Sequence, residues 1–168
     1  MSEVSIDAYQ SYILPRSVAT KRTLSYVVSE LERIDNELTV QAHHDGDQPY
    51  PEIPDAVQDF LRENEFSLDN TNDRSQIIEQ LRKLKHKAPV VNMTFAVEAD
   101  SGSLGELAGW LRDNVHKQSI IAPGFQPALV AGVYMRTPNH IYDMSLRGAF
   151  KQGREKLLGE LEALGGNK

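Results

Sequence analysis

The sequence predicts an α+β fold, with a small N-terminal helical bundle in residues 1–87 and a C-terminal β-α-β-β-α domain in residues 88–168. In the first half, apolar residues recur every three or four positions, which is the spacing of an amphipathic helix. After Pro89 the apolar residues alternate instead, which is typical of a strand. This change of period indicates a domain boundary near residues 86–89.

Three helices are expected in the first half. Ser17 is a suitable N-cap for a long helix that ends near Gln41, because its hydroxyl can accept a hydrogen bond from a free backbone N–H. A short second helix follows Pro54, since proline is tolerated in a first helical turn. A third helix begins near Asp73. The apolar stripe of the first helix includes Leu24, Val28, Leu31 and Leu38.

The second half opens with a strand over residues 90–97 and then a helix. Ser103 and Glu106 form a capping box at the start of this helix, in which each side chain accepts a hydrogen bond from a free backbone N–H. A short apolar stretch ends at Ile121, and Pro123 with Gly124 is expected to form a turn.

A β-hairpin and a final helix complete the predicted domain. The first hairpin strand extends from Leu129 to Met135, residues 137–139 form the turn, and the return strand begins at His140. Ser145 then caps the last helix. The apolar positions of this helix include Phe150, Leu157 and Leu161.

Composition argues against several classes of function. A net charge of −6 opposes general binding to nucleic acid. The basic run at residues 82–87 is interpreted either as the solvated end of a helix or as a contact for a partner or a membrane surface. No run of roughly 20 apolar residues is present, so no segment is expected to insert into a membrane. The absence of cysteine excludes disulfides and thiolate metal sites, and makes a cytoplasmic setting the default.

No motif for catalysis, cofactor binding or metal binding is found. His43 and His44 lie in a polar loop, which we interpret as a connector because metal ligands need a fixed geometry. His140, Asp143 and Ser145 could be imagined as a nucleophile with its partners, but a serine before an apolar helical pattern is more often a cap. Glycine-rich phosphate loops and zinc-protease motifs are absent. The sequence therefore predicts a protein that is not an enzyme and has no cofactor.

Two motifs stand in order in the second half: QPALVAG at residues 126–132 and YDMSLRGAF at residues 142–150. They resemble the D-P-S-L-I-G-G turn and the D-G-S-[VIL]-R-G-[RK]-L helix start in the C-terminal domain of the ATP synthase delta subunit family, called the oligomycin-sensitivity-conferring protein in mitochondria. The chain departs from the family pattern at Gln126, Ala131 and Met144, and its first half is shorter than the family's six-helix bundle. The positions that match are Pro127, Leu129, Gly132, Asp143, Ser145, Leu146, Arg147 and Gly148.

The resemblance implies a non-catalytic connector in the peripheral stalk of a rotary ATP synthase, a peripheral protein on the cytoplasmic face of the membrane within a hetero-oligomeric complex. The implied partners are the N-termini of the alpha subunits and the end of the b-type stalk subunit. Arg147 is expected to fix the hairpin–helix junction through Asp143. The residues expected to dock partners are Leu24, Val28, Leu31 and Leu38 in the first half, and Leu129, Val133, Phe150, Leu157 and Leu161 in the second.

Two alternatives remain open. The apolar residues assigned to docking are also suitable as core residues of their own domains. The alternative for the whole chain is a free-standing adaptor or regulatory module that binds other proteins and is unrelated to the synthase.

Overall fold

The computed structural model describes residues 12–43, 49–137 and 139–165, without the side chains of Gln152, Leu157 and residues 160–165. Helices form the N-terminal half, and a four-stranded mixed sheet with helices forms the C-terminal part, so the predicted α+β class is confirmed. The elements in chain order are α1 (Lys21–Gln41), α2 (Asp55–Glu63), α3 (Thr71–Lys87), β1 (Val90–Phe95), α4 (Ser101–Asn114), β2 (Ile120–Phe125), a 3-10 turn (Pro127–Leu129), β3 (Gly132–Arg136), β4 (Ile141–Ser145) and α5 (Leu146–Gly165).

Helix α1 begins after Thr20, so the prediction that Ser17 caps it is wrong. The Thr20 hydroxyl accepts a hydrogen bond from the Thr23 N–H at 3.2 Å, and the Thr23 hydroxyl oxygen accepts one from the Thr20 N–H at 3.0 Å. The Ala19 carbonyl accepts a hydrogen bond from the Ile121 N–H at 2.8 Å. This pairing with a distant segment holds the backbone extended at Thr20, where φ is −124° and ψ is 164°.

Helices α2 and α3 lie close to where the sequence predicts them. Helix α2 follows Pro54, as expected. Helix α3 begins at Thr71, two residues before Asp73, because Asn70 is its N-cap and accepts a hydrogen bond from the Asn72 N–H at 2.9 Å.

The stripes of these helices meet in one hydrophobic core. The ring of Tyr12 packs edge-on against Phe60 and Phe66, with centroids 6.0 and 5.4 Å away. Burying large apolar side chains in this way is the main favourable contribution to folding. The core includes Leu14, Val18, Leu24, Val27, Val28, Leu31, Ile34, Val57, Phe60, Leu61, Leu68, Ile77, Ile78, Leu81, Leu84 and Ile120.

The sheet has the strand order β2-β1-β3-β4. Strands β1 and β3 are antiparallel, as are β3 and β4. The N–H of Ile120 donates to the carbonyl of Pro89 at 3.0 Å, and the N–H of Gln126 donates to the carbonyl of Phe95 at 2.9 Å. Between these two hydrogen bonds, residue numbers rise by the same amount in both strands and in the same direction. Strand β2 therefore runs parallel to β1, and the sheet is mixed.

Strand β2 continues through Pro123 and Gly124, so the turn predicted there is wrong. The N–H groups of Ile120 and Gln126 face β1, and alternate residues of a strand direct their N–H groups to opposite sides. The nitrogen of Pro123 therefore faces outward from β2, which is an edge strand. At this position a missing N–H removes no hydrogen bond from the sheet.

Two other boundaries in the second half differ from the prediction. Helix α4 begins at Ser101, so Ser103 lies inside its first turn and is not its N-cap. The 3-10 turn occupies the start of the strand predicted from Leu129, and β3 begins only at Gly132. The hairpin itself is confirmed, with the Thr137 N–H donating to the His140 carbonyl at 2.9 Å.

The chain forms two compact units. The first contains residues up to 90 together with residues 101–121, and the second contains residues 91–100 and 122–168. Helix α4 thus groups with the N-terminal helices, whereas the sequence analysis assigned it to the C-terminal domain. Its Arg112 is bound to the segment before α1 by hydrogen bonds to the carbonyls of Leu14, Pro15 and Val18.

Candidate partner-docking surface

The N-terminal docking candidates lie in the core of the first unit. Leu24, Val28 and Leu31 are buried there, and Leu38 is partly buried against the same core. Burial favours the core interpretation for these four residues, because α1 packs them against α2 and α3. The exposed apolar side chains of α1 are Tyr26 and Val40, which the sequence analysis did not select.

The C-terminal candidates have different surroundings within the second unit. Leu129 is buried and Val133 is half-buried. Phe150 is 65% exposed, which is unusual for a phenylalanine on a helix that folds against its own domain. The side chains of Leu157 and Leu161 lie outside the described residues.

The segment YDMSLRGAF, residues 142–150, forms the junction between β4 and α5. The Asp143 carboxylate accepts hydrogen bonds from the Ser145 N–H at 3.0 Å and from the Ser145 hydroxyl at 2.5 Å. The Ser145 hydroxyl oxygen in turn accepts one from the Gly148 N–H at 3.0 Å, so Ser145 caps α5 as predicted. A Cβ atom on Gly148 would lie only 2.6–2.8 Å from the Asp143 carboxyl atoms. A side chain at this position would force the Asp143 carboxylate to move from its place beside Ser145.

The segment QPALVAG, residues 126–132, contacts the same junction at the start of β3. Gly132 has a φ of +86°, and a Cβ there would lie 2.2 Å from the Met144 carbonyl oxygen. The Leu146 N–H donates to the Ala131 carbonyl at 2.9 Å, which satisfies a free donor at the start of α5. The two motifs therefore build one structural unit that sets the direction of α5.

Arg147 does not have the role expected for it. The hydrogen bonds of the Asp143 carboxylate go to Ser145, and Arg147 acts on it only through its charge. The hydrogen bonds from Ser145 are the main reason that the pKa of Asp143 is lowered, with a smaller contribution from Arg147. The expectation that Arg147 fixes the junction through Asp143 is therefore corrected, because Ser145 has that role.

Val130 is a strained residue that the sequence analysis did not identify. Its φ of +69° and ψ of −53° place it in a tight three-residue turn, closed by a hydrogen bond from the Ala131 N–H to the Leu129 carbonyl at 2.8 Å. A β-branched residue rarely adopts this conformation. The turn leaves the Val130 side chain exposed beside the start of α5.

Apolar side chains are exposed over β4 and α5. Met144 pairs with Val133, and Tyr142 with Met135, so these four side chains share one face of the sheet at its β4 edge. Tyr142 and Met144 are exposed on this face. Sequence reasoning did not select them because alternation along a strand does not show whether either face is covered. Among the described side chains of β4 and α5, the large apolar residues that are exposed are Ile141, Tyr142, Met144, Leu146, Phe150 and Leu158.

A cleft of about 590 Å³ lies beside the first turns of α5. Leu129, Tyr134 and Phe150 contribute rings and apolar atoms to its wall, and Asp143 and Ser145 lie at the junction end. Its basic side chains are Arg147, Lys151 and Arg154.

The described residues offer little for catalysis. The Ser145 hydroxyl is committed to Asp143 and Gly148, and the His140 ring stacks on Tyr142 with centroids 6.0 Å apart. Within the described ranges, no group of three His, Asp or Glu side chains could hold a metal ion. Residues 44–48 of the histidine-containing loop lie outside the described residues.

Helices in the described part of the chain are too short or too polar to cross a membrane. No model of a known protein family matches the chain, and no curated protein matches it.

Proposed function

We propose that this protein is a non-catalytic connector in the peripheral stalk of a rotary ATP synthase, where it holds the catalytic head to the b-type stalk subunits. The observation that carries the proposal is the junction of the two family-like motifs, which directs a helix with exposed apolar side chains into solvent. Four of the residues that match the family motifs make contacts at this junction, namely Gly132, Asp143, Ser145 and Gly148.

The energetics of exposed apolar residues support a role in assembly. Leaving a large apolar side chain in water forgoes roughly 1.5–3 kcal/mol of burial free energy. Helix α5 does so with Phe150 and Leu158, at 65% and 47% exposure. A stalk connector must stay bound under torque, which calls for nanomolar affinity, about 12 kcal/mol, and typically about 1,600 Å² of interface. A partner helix lying along α5 would supply such area.

Contact with the head is assigned to the first unit, through the N-termini of the alpha subunits. Leu24, Val28 and Leu31 are used by the core, so the contact falls to exposed residues on the same helix such as Tyr26 and Val40. In this proposal the protein lies on the cytoplasmic face of the membrane as a peripheral subunit of a hetero-oligomeric complex.

The test is binding of the full chain to the b-type subunit of the same organism without its membrane segment, measured by isothermal titration. We expect a 1:1 complex with a Kd below about 1 µM. The double variant Phe150→Asp with Leu158→Asp should weaken binding at least tenfold. Tyr26→Asp changes a residue of α1 whose exposure is close to that of Leu158, and it should leave binding to the b-type subunit unaltered.

Absence of binding to b-type and alpha subunits, together with absence from the synthase purified from native membranes, would overturn the proposal. The free-standing adaptor would then be the better interpretation, since the same exposed surface suits any helical partner.

A further inference from the structure

Three of the four basic residues of α5 form a stripe along one side of the helix. Arg147, Lys151 and Arg154 are spaced by four and three residues, which puts them on one side of a helix, about 10 Å from first to last. All three are exposed, and none is in an ion pair with a described carboxylate. We call these three residues the basic stripe.

The basic stripe runs beside the exposed apolar residues. Leu158 continues the line of the stripe by one more turn, and Phe150 lies next to it on the helix surface. The same cleft holds the three cations together with Leu129, Tyr134 and Phe150. A partner in this cleft would therefore contact apolar and cationic groups at the same time.

Two described carboxylates lie near the stripe. Asp143 lines the same cleft and interacts with the charge of Arg147, while its hydrogen bonds go to Ser145. Glu155 is exposed four residues after Lys151 on the same side of α5, and no ion pair joins the two. Three cations therefore face two carboxylates, which leaves a local positive excess. The whole chain has a net charge of −6, so the sign of the basic stripe is opposite to that of the protein as a whole.

We infer that the cleft binds an acidic amphipathic helix, with carboxylates at the same four- and three-residue spacing beside an apolar stripe. Pairing between the partner's carboxylates and the three cations would fix the position of the partner along α5. Contact between the apolar residues of the two helices would supply buried interface area. The inference rests on the proposed function in that it names the chemistry of the partner at the same surface.

An anionic membrane is the other ligand that a basic, apolar surface suggests. The shape of the site favours the helix. The cations line a concave cleft, whereas a membrane surface is flat. At an anionic membrane each basic residue near the surface contributes only about 1 kcal/mol.

The test uses the full chain and two labelled synthetic peptides of about 20 residues, roughly 30 Å as a helix. One carries a leucine stripe flanked by glutamates at the stated spacing, and the other has glutamine at those positions. By fluorescence anisotropy we expect the glutamate peptide to bind at least tenfold tighter at about 50 mM salt, with most of this preference lost at about 300 mM.

Charge reversal supplies the matched control. The triple variant Arg147→Glu, Lys151→Glu, Arg154→Glu should lose the preference and favour a lysine version of the peptide. Lys156→Glu changes a residue on the opposite side of α5 and should leave the preference unaltered. Circular dichroism checks that each variant keeps its helix content.

Equal binding of the two peptides, or binding of neither, would overturn the inference. A second result would also overturn it: the wild-type protein cosediments with phosphatidylserine vesicles, the triple variant does not, and neither peptide binds. These outcomes do not depend on association with synthase subunits, so failure here and failure of the proposed function can be told apart.

Discussion

At the scale of single residues, backbone geometry and close contacts explain why two glycines occur in the motifs at residues 126–132 and 142–150. Gly132 adopts a left-handed backbone beside the Met144 carbonyl, and Gly148 leaves room for the Asp143 carboxylate. Met144 lies in β4 and is not among the described residues with positive φ. A glycine is therefore not needed at this position.

Gly132→Ala should destabilise the protein by about 2 kcal/mol or more, because the added Cβ meets the Met144 carbonyl oxygen at 2.2 Å in a strained backbone conformation. Urea unfolding followed by circular dichroism measures the change. Gly159→Ala is the control, since nothing lies within 4 Å of its Cβ position. That change in a helix interior should be neutral or stabilise by up to about 1 kcal/mol.

Asp143→Ala should lower the melting temperature at pH 7, because it removes the acceptor of both Ser145 hydrogen bonds. The pKa of Asp143 is lowered in the folded state, chiefly by those bonds. A lowered pKa stabilises the fold above the unfolded-state value of about 4, and this stabilisation is lost as pH falls through the folded value. The gap between wild type and variant should therefore close in acid. Equal melting temperatures at pH 7, or a gap that persists in strong acid, would contradict this role.

At the scale of elements, Arg112 explains why α4 belongs with the first unit. Its guanidinium donates to the carbonyls of Leu14, Pro15 and Val18, and Nε donates to the carbonyl of Ser119 at 3.2 Å. Burial lowers the pKa of Arg112 to about 10, so the group remains charged at neutral pH. One side chain thus connects α4, the segment before α1 and the approach to β2.

Arg112→Met should destabilise the protein by about 3 kcal/mol, because charge-assisted hydrogen bonds are lost and several partly buried carbonyls are left without a donor. Arg16→Met is the matched control. Arg16 pairs with Glu106 at 2.6 Å, but both side chains are mostly exposed, so its loss should cost less than about 1 kcal/mol. Thermal and urea unfolding of both variants give the comparison. Similar losses for the two would show that the carbonyl bonds of Arg112 contribute no special stability.

At the scale of the whole molecule, exposed apolar residues are distributed differently in the two units. Helices α1, α2 and α3 bury their apolar stripes in a common core, and the exposed apolar residues of the first unit lie on several elements, such as Tyr26 on α1 and Trp110 on α4. In the second unit, the consecutive elements β4 and α5 expose six large apolar side chains among those described. This concentration directs the search for partners toward the second unit.

Leu158→Ser should lower the fluorescence of an apolar dye bound to the native protein, because Leu158 belongs to the exposed surface of α5. Tyr26→Ser is the control, with 45% exposure against 47% for Leu158, but on a helix whose stripe is buried. We expect a clear fall in dye signal for the first variant and little change for the second. Equal effects would mean that the dye does not distinguish the two units.

The sequence by itself determined the α+β class, the three N-terminal helices, the hairpin and the cap at Ser145. These features depend on side-chain period, turn residues and hydrogen bonds between close neighbours, all of which can be seen in a short stretch of chain. The tertiary structure alone decided that Thr20 rather than Ser17 starts α1, that α4 joins the first unit, and that Leu24, Val28 and Leu31 are core residues. The reason is that each of these depends on segments far apart in sequence, such as Ala19 with Ile121 or Arg112 with Leu14, and an apolar stripe does not reveal which chain covers it.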